Sequence, residues 1–330
     1  MTILPRSGAA AVSAAVLAAT VCVGAAFTGI APAYAAPAAG APTAVGSNPV
    51  GVAFNTAGTT AYVTNYSSNT LSVIDVASGD VTSTIAVGTH PVGVAVTPGD
   101  GYALVANRGS NNVSVISLNN GAVLGAINVG NSPLGVAISP DGSSAYVSNF
   151  GSSSVSVINM GAEGPTVVDT IPVGSHPSAV AFIPDGSKIG VTNTGGNTVS
   201  VIAAATRRVV GTFPVGNQPY GVAITPNLAK AYATNYGSNT VSVYNIATST
   251  LSATIPVGLN PTGVAVSPNG LKAYVTNFGT NTVSVITVST GVVTSTITVG
   301  SHPANVAFSP DGARAYITNS GGSTISVINS

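Results

Sequence analysis

The chain repeats itself at a fixed interval, and this period limits the folds open to it. The peptide VGSHPSAVAF at residues 173–182 returns as VGSHPANVAF at 299–308, an offset of 126 residues, or three times 42. A recurring proline and a recurring asparagine each mark seven copies, with the same spacings of 42, 42, 44, 42, 42 and 42. Self-similarity at a period of about 20–50 residues is the signature of a repeat architecture. The prolines are Pro49, Pro91, Pro133, Pro177, Pro219, Pro261 and Pro303, and the asparagines are Asn65, Asn107, Asn149, Asn193, Asn235, Asn277 and Asn319.

Each copy has the pattern of four short β-strands. In the third copy, the segments GVAIS, SAYVS, SVSVI and TVVDTI are separated by SPDG, NFGSSS and NMGAEGP, which are rich in turn-forming residues. Four strands in about 42 residues, repeated in this way, are typical of a β-propeller, whose blades circle a central channel. We therefore predict an all-β, seven-bladed β-propeller with four-stranded antiparallel blades. It forms one domain over residues 36–330, with repeats beginning near residues 45, 87, 129, 173, 215, 257 and 299.

The two ends of the repeat region indicate how the ring closes. The last copy begins at Val299 and has 32 residues, so it lacks a fourth strand, while residues 36–44 are left over before the first copy. We predict that this N-terminal piece pairs as the outer strand of the last blade, because folds cover exposed strand edges. Pro42 suits that position, since proline is tolerated in edge strands.

Residues 1–35 have the pattern of a secretory signal peptide. Arg6 precedes a long apolar run, and the peptide APAYA that follows offers a small-residue cleavage site. The alternative is an uncleaved membrane anchor, because the apolar run approaches the length that spans a bilayer. Cys22 is the only cysteine and lies in this segment, so the mature chain has no thiol chemistry. We expect a secreted protein, extracellular or periplasmic, with association to the cell envelope as a further expectation.

The composition excludes some classes of partner. Only 5% of the residues are charged, and the eight basic residues balance the eight acidic ones. Such a chain lacks the basic surface with which proteins bind nucleic acid. Valine, isoleucine and alanine recur throughout, which opposes disorder.

The second strand of most copies carries a recognisable motif. AYVTN occurs at 61–65 and 273–277, with AYVSN, AYATN and AYITN in other copies. The mature chain thereby resembles the YVTN repeat family of β-propellers, found in microbial surface-layer and secreted proteins. This resemblance implies the propeller fold, and it leaves the function open among structural surface proteins, binding proteins and lactonase-like enzymes. Leu104 and Gly190 replace the tyrosine in two copies, so we interpret the tyrosine as a packing residue. We interpret the recurring asparagines as structural, with side chains bonded to the backbone of the following turn.

Antiparallel connectivity places successive loops at alternate ends of each blade. The loop that enters the first strand and the loop between the second and third strands therefore lie on one side, which we name the upper face. The opposite side is the lower side. Apart from Arg6 in the signal, only Arg108 of the sixteen charged residues is predicted on the upper face, which is thus nearly neutral.

Polar and aromatic residues are predicted to surround the upper mouth of the channel. The residues before the recurring prolines form a polar ring of Asn48, His90, Ser132, His176, Gln218, Asn260 and His302. The aromatic and basic residues after the recurring asparagines are Tyr66, Arg108, Phe150, Tyr236 and Phe278. One hypothesis is that they bind a neutral polar ligand such as a glycan or peptide, since aromatic rings supply apolar area and amides supply hydrogen bonds. The alternative is that the polar side chains bond their own loops and the rings pack beneath them.

The sequence offers few groups for catalysis. It has no nucleophile elbow, phosphate-binding loop or metalloprotease helix. The three histidines fall in nonadjacent copies without a carboxylate in the ring, so we predict no metal site and no cofactor. The predicted function is that of a binding or structural surface protein whose partner is a glycan, a peptide or a surface protein. Self-association stays open, and membrane contact is expected only if the signal is uncleaved. The alternative, implied by the family resemblance, is a lactonase-like hydrolase that uses the channel-mouth histidines.

Overall fold

The computed structural model describes residues 38–161 and 164–330, which form seven four-stranded antiparallel sheets. The first strands of successive blades lie side by side, and that of blade 7 contacts that of blade 1, so the blades close into a ring. The predicted fold class is confirmed. The signal peptide predicted over residues 1–35 lies outside the described residues. None of the helical structure in the described residues has the length and apolar character that a membrane span requires.

The strands of each blade follow one another from the channel outward. Those of blades 1 to 3 are β2 (Pro49–Phe54), β3 (Thr60–Asn65), β4 (Thr70–Asp75), β5 (Val81–Ala86), β6 (Pro91–Val96), β7 (Tyr102–Asn107), β8 (Asn112–Ser117), β9 (Val123–Asn128), β10 (Pro133–Ile138), β11 (Ser144–Asn149), β12 (Ser154–Asn159) and β13 (Thr166–Pro172). Those of blades 4 to 6 are β14 (Pro177–Phe182), β15 (Lys188–Asn193), β16 (Thr198–Ala203), β17 (Arg208–Pro214), β18 (Pro219–Ile224), β19 (Lys230–Asn235), β20 (Thr240–Asn245), β21 (Thr250–Pro256), β22 (Pro261–Val266), β23 (Lys272–Asn277), β24 (Thr282–Thr287) and β25 (Val292–Thr298). A short 3-10 helix, Phe150–Ser152, follows β11.

Blade 7 is assembled from both ends of the described chain. It contains β26 (Pro303–Phe308), β27 (Arg314–Asn319), β28 (Thr324–Asn329) and β1 (Thr43–Ala44), in the order β1-β28-β27-β26. Thr43 pairs with Ile325, and an isolated bridge joins Ala39 to Ile328. The predicted closure of the ring by the N-terminal piece is therefore confirmed, and the edge of β28 is covered.

The first strands approach their neighbours closely at a glycine. In blade 1 the register of β2 shifts between Pro49 and Val52, and Gly51 lies in this irregularity. A Cβ atom on Gly51 would lie 2.2 Å from the carbonyl oxygen of Val92 in blade 2, a distance that no side chain tolerates. The glycine therefore allows the backbones of adjacent blades to meet near the channel axis.

The threonine of the YVTN motif ties adjacent blades together. Thr64 Oγ1 accepts a hydrogen bond from the Gly51 N–H of its own blade (2.8 Å) and donates one to the Val92 carbonyl of blade 2 (2.6 Å). The same bridge is formed by Ser148, Thr192, Thr234, Thr276 and Thr318. Blade 2 carries Ala106 at this position, so it has no hydroxyl with which to form the bridge.

The tyrosine and asparagine of the motif are buried. The tyrosines in the interior between blades are Tyr62, Tyr146, Tyr232, Tyr274 and Tyr316, which confirms their packing role. Asn65 Nδ2 donates to Thr70 Oγ1 (3.0 Å) and Ser72 Oγ (2.9 Å) of the third strand. The interpretation that these amides bond the backbone of the following turn is wrong, because the adjacent strand presents two hydroxyls to the buried amide in six blades. In blade 2 it presents the Ser114 hydroxyl and the amide oxygen of Asn112.

Buried apolar residues gather between blades. Among the described residues, a cluster of this kind lies at six of the seven junctions between adjacent blades. The described residues form no such cluster at the junction of blades 4 and 5. There Val199, Val201 and Ala231 stay partly exposed, whereas Val241 and Ala273, their counterparts at the next junction, are fully buried.

Candidate ligand site at the channel mouth

Two sets of loops meet on the upper face. In every blade, the residue after the recurring asparagine donates its backbone N–H to the carbonyl of the residue before the recurring proline. Examples are Tyr66 to Asn48 (2.9 Å) and Phe278 to Asn260 (3.1 Å). The prediction that these loops share one side is confirmed. Within the described chain, Arg108 is the single charged residue that they contain.

The seven residues of the polar ring share an uncommon backbone conformation. Their φ angles lie between 50° and 55°, in the left-handed region. Non-glycine residues seldom adopt this region, and asparagine and histidine are enriched among those that do. In five blades the N–H of the ring residue is accepted by an asparagine of the preceding blade, as Asn69 accepts from His90 and Asn281 from His302, both at 2.8 Å. The left-handed backbone conformation thus explains in part why polar residues occupy these positions.

Each histidine of the ring packs against an aromatic side chain of the preceding blade. The ring centroids are 4.5 Å apart for Tyr66 and His90, 4.7 Å for Phe150 and His176, and 4.6 Å for Phe278 and His302. The sequence contains a signal for these pairs. Each aromatic residue precedes its histidine by 24 residues, or by 26 where the two-residue insertion intervenes. The histidines therefore serve at least as packing residues between loops of adjacent blades.

A cavity of about 410 Å³ opens at the upper end of the channel. Four of the predicted site residues line it, namely Asn48, Tyr66, Arg108 and Phe278. The other eight do not line it, namely His90, Ser132, His176, Gln218, Asn260, His302, Phe150 and Tyr236. The structure thus brings together one amide, two aromatic rings and one guanidinium from the predicted set.

The wall of the cavity has an apolar and a polar sector. The residue after the recurring proline is Val50, Val92 and Leu134 in blades 1 to 3, and Ser178, Tyr220 and Thr262 in blades 4 to 6. Two of these hydroxyls already serve the fold. Ser178 Oγ donates to the Tyr220 carbonyl (2.8 Å), and Thr262 Oγ1 donates to the Pro303 carbonyl (3.1 Å).

Tyr220 lines the cavity and was not among the predicted site residues. The sequence signal is that one aromatic residue stands at a position otherwise occupied by small, aliphatic or hydroxyl side chains. Burial within the channel raises the pKa of its phenol, the nearby Arg108 guanidinium opposes this shift, and Tyr236 and Tyr66 add to it. The phenol is therefore neutral at physiological pH and can donate or accept a hydrogen bond.

Arg108 supplies the charge of the site. Its side chain is exposed, and its Cζ lies 5.9 Å from the centroid of the Phe150 ring, within the range of a cation–π contact. The guanidinium has five N–H donors in a planar fork, which suits carbonyl, hydroxyl and carboxylate oxygens. In the described residues, no group of three or more histidine, cysteine, aspartate or glutamate side chains is placed to hold a metal ion.

Comparison with known proteins identifies the family. The chain is similar in structure to Kuenenia stuttgartiensis hydrazine synthase, with a TM-score of 0.80, 25% sequence identity, and coverage of 87% of this chain and 97% of that one. Among curated proteins, none matches the chain. The family model for YNCE-like β-propellers matches residues 37–231, more than half of the sequence. The chain therefore belongs to the YNCE-like β-propeller family, in agreement with the resemblance that its YVTN motifs indicated.

Proposed function

We propose that the protein is a secreted or cell-surface binding protein that holds a neutral polar ligand, a glycan or a peptide, at the upper mouth of its channel. One observation carries the proposal. The cavity of about 410 Å³ is lined by the rings of Tyr66 and Phe278, the amide of Asn48 and the guanidinium of Arg108. This volume lies within the range of small-molecule sites, so it accommodates the end of a glycan or peptide chain.

The lining residues suit such a ligand in complementary ways. Tyr66 and Phe278 offer flat apolar faces to the C–H face of a sugar or to an apolar side chain. Arg108 and Asn48 provide hydrogen-bond donors, and Asn48 also provides an acceptor. The neutral phenol of Tyr220 offers a further hydrogen bond inside the channel, while the aliphatic sector of blades 1 to 3 provides an apolar wall.

The cavity favours binding over hydrolysis. Catalysis usually requires titratable groups that converge on one point. The residues that line the cavity include no histidine and no carboxylate. His90, His176 and His302 are instead held against aromatic rings of the preceding blades. The signal-like segment at residues 1–35 supports secretion, and the small net charge is compatible with packing into a surface assembly.

The test is a screen of the mature protein on glycan and peptide arrays, followed by two matched variants. Phe278 and Phe150 both pack against a histidine of the next blade, but only Phe278 lines the cavity. We expect Phe278→Ala to weaken binding about tenfold or more, as for a central contact residue, and Phe150→Ala to change it much less.

Two outcomes would count against the proposal. One is equal weakening by Phe278→Ala and Phe150→Ala, which would attribute the effect to loop packing. The other is binding that survives the combined replacement of Tyr66, Phe150, Tyr236 and Phe278 by alanine. Loss of binding in Arg108→Gln would add that the ligand presents an oxygen acceptor to the guanidinium.

A further inference from the structure

The junction between blades 4 and 5 contains a second cavity, of about 170 Å³. Its walls come from β15, β16 and β17 of blade 4 and from β18, β19 and β20 of blade 5. Of the residues that the structure describes, Val222 alone lines both this cavity and the channel-mouth cavity. The two cavities therefore have different walls and can be tested separately.

The cavity exists because blade 4 lacks the tyrosine of the motif. In five blades that side chain is buried against the following blade, and in blade 2 Leu104 takes its place. Blade 4 has Gly190, which lines the cavity. This is the junction without a cluster of buried apolar residues among those described, and its Val199, Val201 and Ala231 line the cavity and stay partly exposed. A missing phenol side chain explains both observations.

Two aromatic rings stand among the aliphatic residues of the remaining walls. Phe213 and Tyr244 correspond to Ile255 and Ile286 at the next junction, and their rings lie 5.7 Å apart at an angle of 54°. The hydroxyl of Tyr244 donates to the carbonyl of Pro214, which fixes the ring at the wall. Ala231 and Ala233, on the face of β19 opposite the Tyr232 ring, complete this side of the lining. The larger side chains of this junction thus surround the space that Gly190 leaves and do not fill it.

The cavity has an opening toward the solvent. Its lining extends to Lys188, Val210 and Ser249, all of which are exposed, and Val210 retains 58% of its accessible surface. Lys188 begins β15 at its lower end, so the opening lies on the lower side of the blades. A small molecule can therefore enter without separating the blades.

We propose that this cavity binds a compact aromatic molecule of the size of a phenol ring, which takes the place of the missing tyrosine side chain. An engineered apolar cavity of about 150 Å³ in another protein stays dry and binds benzene. The present cavity has similar size and two aromatic rings in its walls, which favour edge and offset contacts with an aromatic guest. Lys188 at the opening favours a guest with an oxygen substituent. This inference is independent of the function proposed for the channel mouth.

The test uses p-cresol, which is the side chain of tyrosine as a free molecule. Calorimetric titration of the full chain should show one site with a dissociation constant of about 0.1–1 mM, as expected for a ligand of this size. Gly190→Leu, which copies the residue of blade 2, should weaken this binding more than tenfold. The backbone of Gly190 accepts a side chain, since a Cβ there would lie 3.7 Å from Val222 Cγ2, an ordinary contact.

Two further variants make the outcome decisive. Gly190→Ala fills the space only in part and should weaken p-cresol binding about three- to fourfold, the effect of one methyl group. It provides the same test if Gly190→Leu does not fold. Phe278→Ala alters the channel mouth and should leave p-cresol binding unchanged. Absence of saturable p-cresol binding to the unaltered chain, or equal binding to the unaltered chain and the Gly190 variants, would overturn the proposal.

Discussion

Three side chains of blade 7 contact blade 1, and blade 2 lacks two of the corresponding contacts with blade 3. From β27, the guanidinium of Arg314 donates to the Val76 carbonyl, and Tyr316 is buried in the shared core. Thr318 Oγ1 donates to the Val50 carbonyl at 2.8 Å. Polar and apolar links thus connect the two blades along the length of the strand.

The corresponding strand of blade 2 makes fewer links. Its residues at these positions are Tyr102, Leu104 and Ala106. Leu104 and Ala106 are buried in the core shared with blade 3, whereas Tyr102 is exposed. This strand therefore offers apolar packing but neither the guanidinium nor the bridging hydroxyl.

The difference follows the path of the chain. Blades 2 and 3 are connected directly, because β9 leads into β10. The three C-terminal strands of blade 7 reach blade 1 and β1 through noncovalent contacts only. These contacts join residues far apart in sequence, 268 positions for Thr318 and Val50 and 282 for Thr43 and Ile325. A direct connection keeps neighbours at high effective concentration, so a junction that has one tolerates the loss of side-chain links. The junction that closes the ring has no direct chain connection, and it retains the side-chain links.

The largest effect is expected when the closing strand is removed. A chain that begins at Val45 lacks the Thr43–Ile325 pairing and the hydrogen bond from Gly40 N–H to the Val327 carbonyl (2.8 Å). At about 1 kcal/mol for each lost backbone hydrogen bond, we expect the free energy of unfolding to fall by about 2–4 kcal/mol. The exposed edge of β28 should also promote aggregation.

Urea denaturation and light scattering would measure these two effects. A chain that begins at residue 38, which retains the closing strand, is the matched control. Equal stability and equal monodispersity of the two chains would show that β1 contributes nothing to closure.

The bridging hydroxyl at the closure gives the next largest effect. Thr318→Val removes the acceptor for the Asn305 N–H and the donor to the Val50 carbonyl. Because these groups are partly buried, we expect a loss of about 1–3 kcal/mol in the free energy of unfolding, measured in urea. Thr318→Ser is the control, since Ser148 forms the same bridge in blade 3. A loss in Thr318→Ser as large as in Thr318→Val would contradict the role of the hydroxyl.

The sequence predicted the architecture because architecture here follows from periodicity. Seven prolines and seven asparagines, 42 residues apart except for one interval of 44, determine the number of blades, and the missing fourth strand after Val299 indicates where residues 36–44 pair. The partners of buried side chains were less accessible. The sequence predicts bonds from the Asn65 amide to turn backbone, because the hydroxyls of Thr70 and Ser72 can be placed beside it only when the strand register is known.

The candidate site was predictable in part. Sequence placed twelve residues on the upper face, but which of them line the cavity depends on how loops of adjacent blades meet. The stacking of His90 on Tyr66 becomes visible in sequence only when residues of successive copies are compared. Tyr220 is not evident as a site residue in the sequence, because it directly follows the recurring proline and is the second residue of an innermost strand, where a packing role is expected.

A smaller gain is expected where blade 2 lacks the bridge. A Cβ on Gly93 would lie 2.5 Å from the Leu134 carbonyl oxygen, so the backbones meet here as they do beside Thr64. Ala106→Thr places a hydroxyl between the Gly93 N–H and the Leu134 carbonyl. It should raise the free energy of unfolding by about 0.5–1.5 kcal/mol, measured in urea. Ala106→Val adds a similar volume without the hydroxyl and is the control. An equal gain in both variants would mean that packing, and not the hydrogen bond, limits this junction.

The smallest effect is expected in acid, at a turn on the lower side of blade 7. The Ser309 hydroxyl, followed by the Ala313 N–H, holds the pKa of Asp311 below its usual value. The unfolded chain has the higher pKa, about 3.9, so the stability contributed by Asp311 is complete above that pH. It is lost as the pH falls through the lower pKa of the folded state. Asp311→Asn should therefore flatten the decrease in melting temperature between about pH 5 and pH 2.5.

Asp141 of blade 3 provides the matched comparison. The hydroxyl of Ser139 and the backbone N–H of Ser143 lower its pKa in the same way, in a turn of the same sequence pattern. If the blade that closes the ring depends more on its side-chain hydrogen bonds than other blades do, Asp311→Asn should have the larger effect. It should change the acid dependence of the melting temperature more than Asp141→Asn does. Equal changes in the two variants would indicate that each turn contributes only its own local hydrogen bonds. The closing blade would then be no more sensitive to acid than a blade within the chain.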